Sequence, residues 1–445
     1  MVTAGPSMTY QEALTELSAR GRFGVRLGLG RTRALLAELG HPERTVRGAL
    51  VGGTNGKGSV LALADAALRA AGHHVGTTPK PHLVTYRERV CLDGRPIAAA
   101  DFSRLVAEIL PIADRVAPRH GQPTEFELLT AVVFARFAEA RPDVALVEVG
   151  LGGRLDATHA WDGGVAAITN VALDHTDRLG STVTAIAREK AAIIERGDLA
   201  VTGARGDGLA VIRRRARRLA VPLTEVVAPP ILGWDRDGID VDLPRLGPTR
   251  IGLRGRHQAE NAATADAVLD ALEAAGIVTA PDEARRAGYA SAVWPGRLEL
   301  IRAAGRDVLL DGAHNPAGAA ALATALDDLR PFLDPGPVTL VIATMADKDV
   351  DGLIAALSAA RALKDARVVA TTLPGSRAMP AEALAERWRR LGPTAGVRAE
   401  GDPETALTRA LDADGPVVVA GSLYLVGVAR ARLVDDPDLR DPDPA

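Results

Sequence analysis

The run VGGTNGKGSV at residues 51–60 gathers four glycines, a lysine and a serine hydroxyl where an apolar stretch gives way to a helical pattern. Gly52, Gly53, Gly56 and Gly58 let the backbone turn tightly and aim N–H groups at anionic oxygens, and the positive end of the following helix adds to that attraction. Lys57 is placed to neutralise outer phosphates, and Ser59 to hold a magnesium ion. The spacing departs from the strict phosphate-loop pattern: Gly52 and Gly56 enclose three residues instead of four, and the hydroxyl follows the lysine by two places instead of one. A glycine-rich strand-to-helix turn with no ligand is the bland alternative for this stretch taken alone.

Two later segments carry matching chemistry. VEVGLGGRLDATH at 147–159 puts Glu148 near the carboxyl end of a buried strand, where open α/β sheets form their ligand crevices. A carboxylate there needs a cation or a hydrogen-bond donor. NVALDHTDRLG at 170–180 puts Asp174, His175 and Asp177 beyond the next strand end. A hard oxygen ligand with an imidazole facing a phosphate loop suits a divalent metal beside a nucleotide; a capping or core histidine is the alternative for His175. The predicted helix at 181–195 embeds Lys190 among Ala and Ile, where a lysine either snorkels to water or is held beside the metal site.

These groups need a scaffold, and the chain pattern supplies one. Apolar runs at 48–52, 143–150, 164–171 and 198–203 alternate with helical patterns, which predicts parallel strands with crossover helices. Residues 229–252 are rich in Pro and Gly and predict a small antiparallel excursion, followed by a helix over 257–275 and a hinge at VWPGR, 293–297. Strand candidates at 307–312, 338–344, 366–372 and 415–421 then predict a second α/β domain over 297–433. The acidic, proline-rich end, 434–445, is expected to be disordered. A length of 445 residues with 47% hydrophobic content fits two or three packed domains. With 53 Lys plus Arg against 56 Asp plus Glu, the overall field gives no reason to expect nucleic acid or a membrane as partner. The basic run IRRRARRL at 212–219 reads as a solvated helix face, with a docking surface for an acidic substrate tail as the alternative. The single cysteine, Cys91, and the lack of a leader-like or spanning apolar run lead us to expect the cytoplasm, and the self-sufficient look of both domains a monomer.

Ten separated segments, among them TNGKGS (54–59), PHLVTYRERV (81–90), TEFELLTAVVF (124–134), VEVGLGGRLDAT (147–158), ALDHTDRLG (172–180), GRHQAENAATA (255–265), WPGRLE (294–299) and LDGAHNP (310–316), occur in an order that resembles folylpolyglutamate synthases and dihydrofolate synthases of the Mur ligase superfamily. The resemblance implies an α/β protein: a P-loop-type, mainly parallel ATP-binding domain at 1–296 containing the antiparallel excursion, and a smaller Rossmann-like glutamate-ligase domain at 297–433. It implies phosphorylation of a substrate carboxylate by ATP with magnesium, then attack by the amino group of L-glutamate on the acyl phosphate, the acid being dihydropteroate or a reduced folate. By resemblance, Gly56, Lys57, Gly58 and Ser59 match the triphosphate loop; Ser59, Glu148 and His175 match magnesium ligands; Asn261, Arg297 and Asp311 match ATP contacts. His314 matches a group acting on phosphate or glutamate, and Lys190 a lysine often carboxylated in this family. Thr124, Glu125, Phe126 and Glu127 match a pterin-binding segment, faced by Leu155, Asp156 and Ala157; Asp347 and Lys348 match the glutamate side, with a solvated loop as the alternative.

The chain departs from the family pattern at Lys80, where the family has a serine that approaches a magnesium; at His159, where it has asparagine; and at Ala192, where glycine is common. A protonated lysine cannot ligate a metal, so Lys80 is expected to take part of a magnesium's place or to pair with a phosphate or substrate carboxylate; a lysine pointing to solvent, with a water kept on the metal, is the alternative. A Mur-type amide ligase with another acid acceptor, and a catalytically silent nucleotide-binding regulator, are the rival readings.

Overall fold

In the computed structural model, residues 8–21, 28–375, 377–392 and 395–442 are described. The chain divides into two compact units, one formed by Met1–Ala228, Asn261–Gly288 and Pro437–Ala445, the other by Pro229–Glu260 and Tyr289–Asp436.

The first unit is built on an eight-stranded sheet of β1 (Gly48–Gly52), β2 (Val75–Thr78), β3 (Cys91–Leu92), β4 (Arg95–Pro96), β5 (Val144–Glu148), β6 (Gly164–Ile168), β7 (Leu199–Thr202) and β8 (Leu223–Glu225), in the order β4-β3-β2-β5-β1-β6-β7-β8. The pairs from β2 to β8 are parallel, and β3 and β4 close one edge antiparallel. Central strands β1 and β5 are buried along their whole length, as continuous apolar runs covered on both faces must be. The core joins Leu50, Val147 and Ile168 of the strands to Phe134 and Phe137 of the helix Glu125–Ala140 and to Trp161, whose indole N–H donates to the Val46 carbonyl at 3.1 Å.

The strand order decides where a ligand fits. From β1 the chain crosses to β2 on one side, and from β5 it crosses back past β1 to β6 on the other, so β1 lies at the reversal point whose carboxyl end opens a crevice. Register brings the strand ends level there: Val51 pairs with Glu148, Gly52 with Ile168, and Thr78 with Val147. The glycine loop, Glu148, and the segments starting at 79 and 169 therefore leave the sheet side by side.

The second unit holds an antiparallel sheet of β9 (Ile231–Trp234), β10 (Ile239–Leu243) and β11 (Gly247–Ile251). It also holds a six-stranded sheet of β12 (Glu299–Ala303), β13 (Arg306–Leu310), β14 (Thr339–Ile342), β15 (Arg367–Thr371), β16 (Gly396–Glu400) and β17 (Val417–Ala420), ordered β12-β13-β17-β14-β15-β16 and parallel except for the β12–β13 pair.

Two expectations need correction. The antiparallel excursion, expected within a domain spanning 1–296, clusters with the second unit. Its anchors explain why: Arg236 donates to both Asp307 oxygens, at 3.1 and 2.6 Å, and Arg256 pairs with Asp328 at 2.7 Å. The acidic end, expected to be disordered over 434–445, is ordered as far as it is described: a 3₁₀ turn at Pro437–Leu439 precedes contacts to Arg87, a buried guanidinium that needs a counter-charge. Residues 443–445 lie outside the described residues.

Toward the opposite edge of the first sheet, Asp198 precedes β7 and faces the carboxylate of Asp162, which precedes β6. Burial, reinforced by the neighbouring carboxylate, pushes Asp198 up to about 7, although it accepts the Glu195 N–H at 2.7 Å. Because the folded protein retains a proton that the unfolded chain gives up above about pH 4, stability falls as pH rises from about 4 to 7. Asp198→Asn keeps the hydrogen bonds without the charge. It should raise Tm at pH 8 and leave it nearly unchanged at pH 4.5; calorimetry at both values that shows the same shift contradicts this account.

Candidate active site

The glycine loop keeps its shape through glycine conformations and bonds to the segment after β6. Gly53 has φ +144°, and a Cβ there would collide with the Thr169 hydroxyl. Gly56 has φ +85° and caps the helix Lys57–Ala70, and a Cβ there would run into the Asn261 amide. Thr54 N–H donates to the Asn170 carbonyl at 3.0 Å, Asn55 N–H to Asn170 Oδ1 at 2.9 Å, and Thr169 Oγ1 to the Asn55 carbonyl at 2.6 Å. Neither Thr169 nor Asn170 stands out in the sequence: Asn170 opens the NVALDH segment, and Thr169 lies just before it in the apolar run 164–171. Gly58 and the buried Ser59 begin the helix beside Lys57.

Three ammonium groups converge on this corner. Lys57 Nζ donates back to the Gly53 and Thr54 carbonyls at 3.2 and 3.1 Å and stands 3.9 Å from Glu148 Oε1. Lys190, on the helix Val183–Ala191, is buried and donates to the same Gly53 carbonyl at 2.8 Å. Burial, with Lys57 nearby, lowers Lys190 to about 7. It does not snorkel. Lys80 enters from β2: its main-chain N–H donates to Glu148 Oε2 at 2.9 Å, its Nζ donates to the Glu148 carbonyl at 2.6 Å, and the ammonium lies 4.8 Å from the centre of the Phe126 ring. Burial lowers it to about 8 against the opposing pull of Asp156. Lys80 thus faces inward and grips the residue that the sequence marks as a metal ligand.

Glu148 is 4% exposed and, with Ser59, supplies hard oxygen donors. Among the described residues no three His, Cys, Asp or Glu side chains cluster as a metal cage. Such a donor set fits magnesium, which keeps waters and takes phosphate oxygens as its remaining ligands. His175 stands at the start of the short helix Thr176–Leu179 with φ +49°, exposed, its N–H donating to Asp174 Oδ1 at 2.8 Å.

The residues matched to a pterin site divide by role. Thr124 and Glu127 form a capping box at the start of Glu125–Ala140, and Arg31 Nε donates to both Glu127 oxygens at 3.0 Å. Asp156 accepts from the N–H groups of Leu151 and Thr158, capping the turn Ala157–Ala160, and the Leu155 carbonyl accepts from Gly28 N–H. Glu125 and Phe126 are only partly buried: Glu125 Oε1 accepts from the Tyr86 hydroxyl at 2.9 Å, and Phe126 carries Lys80 above its ring. His159, the departure after Ala157–Thr158, packs between Glu195 and the Arg154 carbonyl, each 3.2 Å away.

Arg297, Asp311 and His314 lie in the second unit. The Asp311 carboxylate follows β13, accepts from the Leu298 and Ala313 N–H groups at 2.9 Å each, and is raised by burial against the opposing effect of Arg297. His314 Nδ1 meets the Gly312 carbonyl at 2.8 Å.

Compared with known proteins, residues 51–221 match the Mur ligase middle domain and 296–423 the Mur ligase glutamate ligase domain. The chain is 34% identical over 438 residues to the dihydrofolate synthase/folylpolyglutamate synthase of Bacillus subtilis, covering 95% of this chain and 99% of that one. It superposes on the Mycobacterium tuberculosis folylpolyglutamate synthase solved with ADP and AMPPCP with a TM-score of 0.84 at 34% identity, covering 96% of this chain and all of that one. On the Escherichia coli FolC solved with DHPP and ADP the TM-score is 0.81 at 31% identity, with 96% of this chain and all of the other covered. Sequence, fold and the glycine-loop corner agree, and the chain belongs to the folylpolyglutamate synthase/dihydrofolate synthase family of Mur ligases.

Proposed function

We propose that the protein is an ATP-dependent C–N ligase that adds L-glutamate to dihydropteroate, to reduced folates, or to both. The observation that carries the reading is the convergence of Lys57, Lys80 and Lys190 on Glu148 and the Gly53 carbonyl at the sheet's reversal point, beside the Glu125–Phe126 face. ATP and a carboxylate substrate are both anions, and concentrated positive charge is what brings them together. The helix start after Gly56 and Lys57 would hold the triphosphate. A magnesium held by Ser59 and Glu148, with His175 as a further candidate ligand, would neutralise phosphate charge.

In the reaction, a carboxylate oxygen of the acceptor attacks the γ-phosphorus, ADP leaves, and the acyl phosphate forms. The glutamate amine then attacks the acyl carbon, loses a proton, and phosphate leaves. Lys57, turned onto its own loop carbonyls in this structure, would swing to the transferring phosphoryl group. Phe126 offers a ring for the pterin to stack on, and Lys80 a cation for the acceptor's charge. We assign Asn261, Arg297 and Asp311 to the nucleotide, and His314, with Asp347 and Lys348, to the glutamate side. We assign ATP binding to residues 1–296 without the antiparallel sheet, and glutamate ligation to 297–433. A reducing compartment such as the cytoplasm fits the single buried cysteine; among the described residues no helix is long and apolar enough to cross a membrane.

The test of function is glutamate-dependent phosphate release by the purified protein with dihydropteroate, a reduced folate and a muramyl peptide acid. We expect turnover with one or both pteridines, and turnover only with the peptide acid refutes the folate assignment.

Lys190 has the two properties that carbamate formation requires: an amine that is substantially neutral near pH 7, and a fixed place beside the loop. The neutral fraction increases through pH 7, so bicarbonate should stimulate activity more at pH 8 than at pH 6. Lys190→Ala should lose roughly 10²-fold or more in kcat, in the range of a removed electrostatic stabiliser, and regain part of it with short-chain carboxylic acids. Failure of every such acid to restore activity counts against a carbamate.

Lys80→Ser leaves the main-chain bond to Glu148 but removes the ammonium. If that charge stands in for part of a metal's, the magnesium needed for half-maximal rate should rise by about threefold or more, and an unchanged titration and rate would contradict the assignment.

A further inference from the structure

The chain's last described residues, 437–442, belong to the first unit, and they end on the turn that follows β2. Asp441 accepts from Thr85 Oγ1 at 2.5 Å and from Arg87 Nε at 3.4 Å. The Arg440 carbonyl accepts from Arg87 Nη2 at 2.8 Å, and the Pro442 carbonyl from Gln11 Nε2 at 3.3 Å. Arg87 is buried, and its Nη1 donates to the Ile97 carbonyl at 3.2 Å. A guanidinium taken out of water needs a compensating charge; here it comes from a residue 354 positions away. The Tyr10 hydroxyl meets Thr85 Oγ1 at 2.9 Å, its phenol pushed up by burial, so the amino-terminal helix joins the same cluster.

Thr85 is also a structural key. Its side chain caps the 3₁₀ turn Tyr86–Arg89, while the Glu88 carboxylate accepts from the N–H groups of Leu83, Val84 and Thr85 at 3.0, 2.7 and 2.7 Å. The turn projects Tyr86, which donates to Glu125 and packs on the His82 ring at 4.2 Å, and Arg89, which donates to His82 Nδ1 at 3.0 Å. Glu125 precedes Phe126, over which Lys80 lies. A continuous series of contacts therefore leads from Asp441 through Thr85 and Arg87 to Tyr86, Glu125 and the ring face.

We propose that the C-terminal segment 437–442 is a positioning strap for the acceptor-binding face, with Asp441 as its principal contact. It fixes the turn at 82–89 and, through Tyr86, the Glu125–Phe126 edge. The proposal rests on the reading that this face takes the pteridine acid. Asp441 itself touches no substrate in this account; it acts through Thr85 and Arg87.

The test uses the full-length protein with Asp441→Ala and Asp441→Glu, measuring kcat and KM for each substrate, Tm, and amide hydrogen exchange. In Asp441→Ala, losing a charge-assisted hydrogen bond should raise the acceptor KM roughly three- to tenfold while KM for ATP stays near wild type, and Tm should fall because Arg87 loses its counter-charge. Exchange at 83–89 should quicken with exchange at 53–59 unchanged, and Asp441→Glu should recover most of the wild-type KM. An unchanged acceptor KM overturns the proposal, as does an equal rise in every KM, which marks a purely structural tail. If the wild-type protein turns over no pteridine acid, the acceptor reading has failed on its own. Exchange at 83–89 then decides the strap: quickened exchange supports it, and unaltered exchange overturns it.

Discussion

Three ammonium groups brought onto the Glu148 carboxylate, the Glu148 carbonyl and the Gly53 carbonyl set the terms for everything near the glycine loop. Repulsion between buried like charges is costly, and the lowered values at Lys80 and Lys190 express that cost together with desolvation. Asp156 and Asp174 oppose it for Lys190, and Asp156 and Glu148 for Lys80, yet burial prevails in both. A corner so arranged favours polyanions. The sheet makes it possible: parallel strands end level, and β1 is flanked by strands reached in opposite directions, so four loops meet where an α/β sheet accepts ligands.

Much of this scaffold is legible in the sequence because buried parallel strands advertise themselves as short apolar runs. The run at 48–52 coincides with β1, and those at 143–150, 164–171 and 198–203 contain β5, β6 and β7. β2 reads VGTT and β16 reads GVRAE, too short or too polar for the same signal. The glycine loop, Glu148 and Lys190 are legible for a different reason: glycine spacing and a charged residue in an apolar frame are local features. That Lys80 grips Glu148 is not local. It depends on β2 pairing with β5 so that Thr78 lies opposite Val147, a register no stretch of sequence states.

The same limit explains the two corrections. The antiparallel sheet lies between segments of the first unit in the chain, and its allegiance is settled by ion pairs such as Arg236–Asp307, across 71 positions. The tail's composition, rich in Asp and Pro, is that of a disordered end. Composition reports what a segment can bury by itself, whereas a single buried guanidinium elsewhere can recruit an acidic segment to an ordered place.

A polar group whose bonds are committed to the backbone is poorly available to a ligand, since releasing it leaves buried donors unpaired. Thr124 and Glu127 satisfy each other and the helix start, and Asp156 serves the N–H groups of Leu151 and Thr158. Their presence in the matched segment is explained by shape. In the proposed reading, recognition falls on groups the same segments leave partly open: the Phe126 ring, the Glu125 carboxylate with its Tyr86 partner, and the Lys80 ammonium. Two of these three depend on residues outside their own helix for their aim, Glu125 on the turn at 86–89 and Phe126 on the segment after β2. If this face takes the acceptor, as proposed, its selectivity depends on how the 79–90 segment is held, and substitutions that loosen it should alter acceptor choice without touching a residue that contacts the acceptor.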